Sequence, residues 1–355
     1  MHTDESAKPG GSVRVSQRLL KKKIPEDAPI TPRSAALFRF GEQCNYRCPM
    51  CSNTGDAALF FFPTDELLRR ATFLQRCGFR RVVVTGGEAT IHPGFWIVVE
   101  QLAAAGMTWD INTHGGSFSK PDFARRSVDR GLQRAIVSLH SFDASTSAAI
   151  FGTREDAHHR TVAGVDRLLE AGVEVMLNCV LSRLNLAQAE AYVRVARQRF
   201  GGEVAFKFVF PSTLGKGGQW SEIAALRYRD VREAVLRLRV LAAQMQLRIF
   251  FESFPNCIVH ASGNVNYGRS TFGETHYLDD ATGDRVYSMR HIEAELSAFG
   301  DVCLRCVAVR GCSGVSLAYA KRYGVEELTP FLRKPASIPV EVPAVPIQPR
   351  VATER

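Results

Sequence analysis

The chain reads as a barrel-like α/β protein on three observations. Six short β-branched or aromatic runs recur between residues 35 and 210, amphipathic stretches separate them, and those stretches end at glycine. Strands alternating with helices form parallel sheets, and strands this apolar need helices covering them. The pattern leaves open whether the barrel closes. In either form ligands bind at the carboxyl ends of the strands, which is the test each motif must meet.

In order, the runs are AALFRF, RVVVTGGE, MTWDINTHG, RAIVSLHSF, VEVMLNCVL and EVAFKFVFP. Thr64 is placed to cap a helix that stops at Gly78, further helices stop near Gly106 and Gly131, and HRTVAGVDRLLEAG stops at Gly172. After Pro211 the pattern changes. LGKGGQ is a glycine-rich loop, residues 221–247 read as one or two arginine-rich helices, and residues 250–332 hold the remaining cysteine group. The chain divides into a basic N-terminal tail (1–34), a barrel (35–220), a helical connection with a small C-terminal domain (221–332) and a tail (333–355). That last tail has five prolines between Pro335 and Pro349, so it reads as extended.

Composition narrows the function classes. At 355 residues and 45% apolar content the chain has ample material for a core. Its apolar runs are broken by charge well short of the ~20 residues of a membrane span, and the amino terminus lacks a signal peptide's apolar core. A reducing cytoplasm is the expected compartment. The tails supply +5 of the formal charge of +9, so the body is only mildly basic and nucleic acid is not the favoured partner. Nine cysteines are an odd number, and six fall in two tight groups, which points to metal ligation before a disulfide framework.

The first group is CNYRCPMC, with Cys44, Cys48 and Cys51 directly after the first strand. A structural zinc commonly takes four Cys or His ligands, and no fourth lies nearby. A [4Fe–4S] cluster has four irons, so three thiolates would leave one iron open for chemistry. Buried loop cysteines are the bland alternative. The next strand ends in Gly86, Gly87 and Glu88. Two glycines admit a ligand close to the backbone and an acid accepts from an ammonium, although alone such a triplet is only a turn.

Together these motifs resemble the radical S-adenosylmethionine (SAM) superfamily, whose CxxxCxxC loop follows the first strand of a partial (β/α)6 barrel. The resemblance implies a [4Fe–4S] cluster on Cys44, Cys48 and Cys51, and a GGE motif that receives the methionine amino group. Met50 stands where an aromatic residue is usual, its backbone facing the adenine, and Ala89 replaces a usual proline. The resemblance further implies Ser138 and Asn178 at the SAM ribose and Arg183 at its carboxylate, a task that suits the bidentate guanidinium. The third strand also offers Asn112, Thr113 and His114 at its end. His114 and His140 read either as hydrogen-bonded barrel-mouth residues or as substrate contacts and proton donors.

The second group is Cys303, Cys306 and Cys312, and Cys257 upstream brings the number to four. Four thiolates close a metal site, as a structural zinc or as an iron–sulfur cluster. With Gly314, Tyr319, Tyr323 and Gly324, the arrangement resembles the twitch or truncated SPASM domains that hold auxiliary clusters, which implies a second [4Fe–4S] cluster closed by protein ligands. Cys77 and Cys179 read as core residues.

The activity implied is reductive SAM cleavage to a 5′-deoxyadenosyl radical that abstracts hydrogen from a substrate, with an external electron donor such as flavodoxin or ferredoxin. The expected substrate is a small polar or anionic metabolite, oxidised, rearranged or joined in natural-product biosynthesis. A peptide maturase acting on a ribosomal precursor is the alternative, held second because residues 1–34 are shorter than the leader-binding domain such enzymes often carry. From another class stands a non-catalytic electron-transfer or metal-stapled binding protein.

Overall fold

The computed structural model describes residues 26–52, 59–211, 223–259 and 274–333. The glycine-rich loop lies outside the described residues, as do the basic tail up to residue 25 and the proline-rich tail beyond Arg333.

The six expected runs become β1 (Ala35–Arg39), β2 (Arg81–Thr85), β3 (Thr108–Thr113), β4 (Leu132–Ser138), β5 (Glu174–Val180) and β6 (Ala205–Val209). Between them lie α1 (Thr64–Arg76), α2 (Phe95–Ala104), α3 (Pro121–Val128), α4 (Ala144–Phe151), α5 (Glu155–Glu170) and α6 (Ala189–Phe200). Beyond residue 220 follow α7 (Tyr228–Met245) and β7 (Ile249–Glu252), then the short helix α8 (Asn256–Val259) and strands β8 (Thr275–Leu278) and β9 (Val286–Ser288). Strand order is β7-β6-β5-β4-β3-β2-β1-β8-β9, parallel throughout except for β9. The sheet therefore takes strands from both sides of residue 220, and β8 lies parallel to β1 with Leu37 opposite Tyr277.

Period-two alternation explains how the sheet is buried on both faces. Phe38, Val82, Val84, Ile111, Val137, Leu177 and Phe208 point outward, into a core shared with Leu67, Val98, Leu102 and Val165 of the helices. Their neighbours Leu37, Val83, Ile136, Met176, Ala205 and Phe250 form a separate inner cluster. Leu37 of β1, Glu252 of β7 and Thr275 of β8 line one cavity, so the sheet curls around it while β7 and β9 remain edges.

One expected cap differs. Pro63, not Thr64, occupies the cap position of α1, and no side chain caps the helix. Thr64 sits in the first turn against Gly94, where an added Cβ would lie 2.2 Å from the Thr64 hydroxyl oxygen. The packing of α1 on the loop before α2 claims that hydroxyl. The helix ends at Gly106, Gly131 and Gly172 are all left-handed, as the sequence expects.

The remainder of the chain comprises α9 (Met289–Glu295), the antiparallel pair β10 (Ser297–Ala298) and β11 (Val315–Ser316), and α10 (Leu317–Tyr323). No helix among the described residues is long and apolar enough to cross a membrane.

Candidate active site

The loop after β1 carries Cys44, Cys48 and Cys51, and the end of β2 braces it. The Gly87 amide donates to the Gly41 carbonyl at 3.0 Å and the Glu88 amide to the Gln43 carbonyl at 2.9 Å. A Cβ on Gly87 would stand 2.1 Å from the Gln43 oxygen, and Gly86 holds φ at +131°. These glycines are thus required by the approach of one backbone to another, before any ligand is considered.

Glu88 is 1% exposed, and its carboxylate accepts from the Thr90 amide and hydroxyl, the Thr113 hydroxyl and the His114 amide. Protein donors therefore surround the side chain and fix the ends of β2 and β3 together. His114 is likewise engaged at both ring nitrogens. Nδ1 accepts from the Gly116 amide at 3.0 Å, which leaves the proton on Nε2, 2.8 Å from Asn45 Oδ1. The ring stacks on Tyr46 at 3.8 Å between centroids, and burial lowers its pKa, so it is neutral. Of its two sequence readings, the hydrogen-bonded one describes this geometry. His140 accepts the Val180 amide at Nδ1, and burial pushes its pKa down to about 4, which keeps a neutral ring protonated at Nε2.

One cavity of about 320 Å³ gathers most of the expected residues: Cys44, Cys48, Met50, Cys51, Gly86, Gly87, Glu88, His114, Ser138, His140 and Asn178. Arg183 is not among them. It is exposed, and its Nε donates to the Ala225 carbonyl at 3.0 Å. Burial pushes the Cys44 thiol up to about 11, so a thiolate there calls for a cation to offset the desolvation. The Asn178 and Asn112 Oδ1 atoms are buried without hydrogen-bond partners and call for ligand donors. Three soft sulfur donors beside two orphaned acceptors fit an iron–sulfur cluster with a hydroxyl- and amine-bearing ligand such as SAM.

The second cysteine group also assembles. Cys257 opens α8 after β7, Cys303 lies in a short 3-10 turn, and Cys306 and Cys312 follow in loops. All four line one small cavity of about 20 Å³, walled by Phe299, Val309 and Leu328. Backbone amides of Asn256 and Gly314 reach the Cys312 sulfur at 3.3 and 3.4 Å, and that of Phe331 reaches the Cys306 sulfur at 3.4 Å. Burial raises the Cys303 thiol to about 11 and lifts Cys257 as well. The donor set fits a closed cluster. Four thiolates are equally the donor set of a structural zinc, and among the described residues neither cysteine group is already drawn together around a single ion.

Between the two groups lies an outer cavity of about 580 Å³. Asn112, Ile136, Lys207 and Glu252 line both it and the first cavity, so these four form the waist where the spaces meet. At the far end Gly314 belongs to both the outer cavity and the four-cysteine cavity. Sequence reasoning passed over Lys207 and Glu252, which pair at 3.1 Å. The available signal was a lysine inside the apolar strand AFKFV, where a charge needs a reason.

A family model described as the Radical SAM superfamily matches residues 38–196. A GTP 3′,8-cyclase of Edwardsiella ictaluri is 31% identical over 215 residues, covering 58% of this chain and 62% of that protein. A probable GTP 3′,8-cyclase of Saccharolobus islandicus is 26% identical over 207 residues, 58% of this chain and 64% of that protein. The chain thus spans less than two thirds of the length of these curated relatives. Among solved structures, Streptococcus suis SuiB bound to S-adenosylmethionine superposes with a TM-score of 0.55 at 12% identity, over 83% of this chain and 75% of that one, a likeness of fold. The matched region runs from β1 into α6 and contains the first cysteine loop, so this part of the chain is similar to the radical SAM superfamily.

Proposed function

We propose that the chain is an enzyme that cleaves SAM reductively and acts on a C–H bond of a small polar metabolite held in the outer cavity. The carrying observation is that the three-cysteine cavity opens into a larger cavity through a shared waist. When bound, the [4Fe–4S] cluster and SAM supply a 5′-deoxyadenosyl radical, which abstracts hydrogen from unactivated carbon.

The protein's part is holding and orienting. Cys44, Cys48 and Cys51 would hold three irons, leaving the fourth for SAM. The backbone at Gly86 and Gly87 lies beside that loop, where carbonyls can receive an ammonium, and Glu88 fixes it from behind. Ser138 and Asn178 face the same cavity with groups suited to ribose hydroxyls. The apolar inner cluster beneath and the C-terminal segment beyond keep water from the reacting carbon.

Cys257, Cys303, Cys306 and Cys312 are proposed to hold a second [4Fe–4S] cluster as a complete ligand set, which would accept the electron that a substrate radical gives up on becoming the oxidised product. A flavodoxin- or ferredoxin-type donor would reduce the first site. The relatives' printed substrate, GTP, is not carried over. The charged residues lining the outer cavity, among the described residues, are two lysines and two glutamates, whereas a triphosphate needs a surplus of cations.

Anaerobic reconstitution tests the reading. About eight irons per chain are expected for two four-iron clusters, together with dithionite-dependent release of 5′-deoxyadenosine. The Cys44→Ala, Cys48→Ala, Cys51→Ala variant should retain about four irons and lose SAM cleavage. Cleavage by that variant would sink the assignment, and four irons plus one zinc in the wild type would sink the second cluster.

A further inference from the structure

The waist between the two cavities carries a charge pair that neither cysteine group needs. Lys207 sits mid-strand in β6, 8% exposed, with Nζ 3.1 Å from Glu252 Oε2 on neighbouring β7. Lys207 is buried while the Glu252 side chain is 36% exposed to the cavity, and a pair that open contributes little to stability, so stability does not account for a lysine in an apolar strand. Asn112 completes the waist. Its Nδ2 donates to the Thr85 hydroxyl at 3.3 Å, which aims the amide, and its Oδ1 is buried with no partner.

The outer cavity beyond is otherwise mostly apolar, with Leu37, Val83, Phe210, Tyr228 and Leu296 in its wall. Its charged lining residues are Lys207, Lys321, Glu252 and Glu293, which balance. A volume of about 580 Å³ is ordinary for a site that encloses a small organic molecule. The preferred ligand is therefore neutral overall, apolar over most of its surface, and able to meet an ammonium and a carboxylate at one end.

We propose that the outer cavity takes a zwitterionic amino acid with a large apolar or aromatic side chain. Its carboxylate lies on Lys207, its ammonium between Glu252 and Asn112 Oδ1, and its side chain in the apolar wall. This rests on the reading that the waist adjoins the SAM site, and it narrows the small polar or anionic metabolite expected from the sequence to a net-neutral one. Lys207 and Glu252 are thereby specificity-determining residues.

The test is calorimetric titration of the full-length, cluster-loaded protein in the presence of SAM. The probes are L-tryptophan, L-leucine, indole-3-propionate, tryptamine and GTP. Both amino acids should bind saturably, and L-tryptophan at least tenfold more tightly than indole-3-propionate, which lacks the ammonium, and than tryptamine, which lacks the carboxylate. Lys207→Met should weaken L-tryptophan about tenfold and leave tryptamine unchanged. Glu252→Gln should weaken tryptamine and L-tryptophan but leave indole-3-propionate unchanged. The double variant Lys207→Met, Glu252→Gln should melt no lower than the wild type while losing the preference for zwitterions. No saturable binding of either amino acid, equal affinity for L-tryptophan and its two analogues, or tightest binding of GTP would each overturn the proposal. Persistence of 5′-deoxyadenosine release in those cases would confine the failure to the substrate class, whereas its absence from the wild type would fall on the broader function.

Discussion

The His114 ring lies with Nε2 2.8 Å from Asn45 Oδ1, so the end of the third strand is tied to the loop that carries the first three cysteines. Asn45 sits between Cys44 and Tyr46, and Tyr46 stacks on the same ring. Outer-shell partners of this kind commonly matter 10–100-fold in metal affinity. His114→Ala should therefore lower iron retention at the first site against a competing chelator by about that factor, while His114→Gln, which keeps an amide donor, should recover part of it. Iron release measured optically checks this, and unchanged retention in the alanine variant would show the tie to be incidental.

Gly87→Ala should be far more damaging than its size suggests. The added methyl would meet the Gln43 oxygen at 2.1 Å and the Glu42 oxygen at 2.5 Å, both backbone atoms on the cysteine loop. Such overpacking costs about 1–3 kcal/mol or more, and here the relief is displacement of the loop. Chemical denaturation should show the loss, and iron at the first site should fall while the second site stays loaded. Gly106→Ala is the control, since its Cβ would meet nothing within 4 Å and only the left-handed φ of +67° opposes it.

His140 makes stability fall on the acid side of neutrality. Burial holds its pKa at about 4 against an ordinary 6.5, so between those values the unfolded chain takes up a proton that the native chain refuses. Its contribution is full above pH 6.5, declines as pH falls toward 4 and is level below that. The span corresponds to roughly 3 kcal/mol. Urea midpoints of the wild type and His140→Asn between pH 7.5 and 4.5 should diverge with that sign, the variant being the flatter. Parallel profiles would remove the histidine from the account.

Stripping metal from the four-cysteine site should loosen the C-terminal segment. Cys257 is buried and Cys303 half-buried, both with raised pKa values, and Cys306 and Cys312 receive backbone amides from three separate stretches of chain. A metal there would cross-link those stretches, so its binding energy is partly folding energy. Hydrogen exchange across residues 299–331 should accelerate after chelation, while β1 to β6 exchange as before. At pH 8 the freed Cys303 should alkylate slowly, since its thiol titrates near 11.

Much of this was legible from residue types alone, because the six strand runs carry the period of a doubly covered sheet and the glycines mark helix ends. Cys44, Cys48 and Cys51 line one cavity and Cys257 with its three distant partners another, and the sequence could suggest both groups because soft ligands are scarce and their spacing is informative. Arg183 went astray for a physical reason: a flexible guanidinium finds the nearest carbonyl, here that of Ala225, and sequence position does not fix where it points. Glu88 was expected to meet a ligand ammonium, yet Thr90, Thr113 and His114 engage it, and none of those contacts is visible without the β2–β3 register. The Lys207–Glu252 pair depended on β7 joining β6, a pairing the short run IFFE does not announce.

The β1–β8 pairing sets an order of events for a chain emerging from the ribosome. β1 leads directly into the first cysteine loop, yet the strand that covers its outer edge begins at Thr275. Until then the first strand is a bare template for a foreign strand, and partners so distant in sequence close slowly. A cluster held by Cys44, Cys48 and Cys51 would then have a window for loading during synthesis, before β8 and the β9 strand that turns back on it complete the sheet.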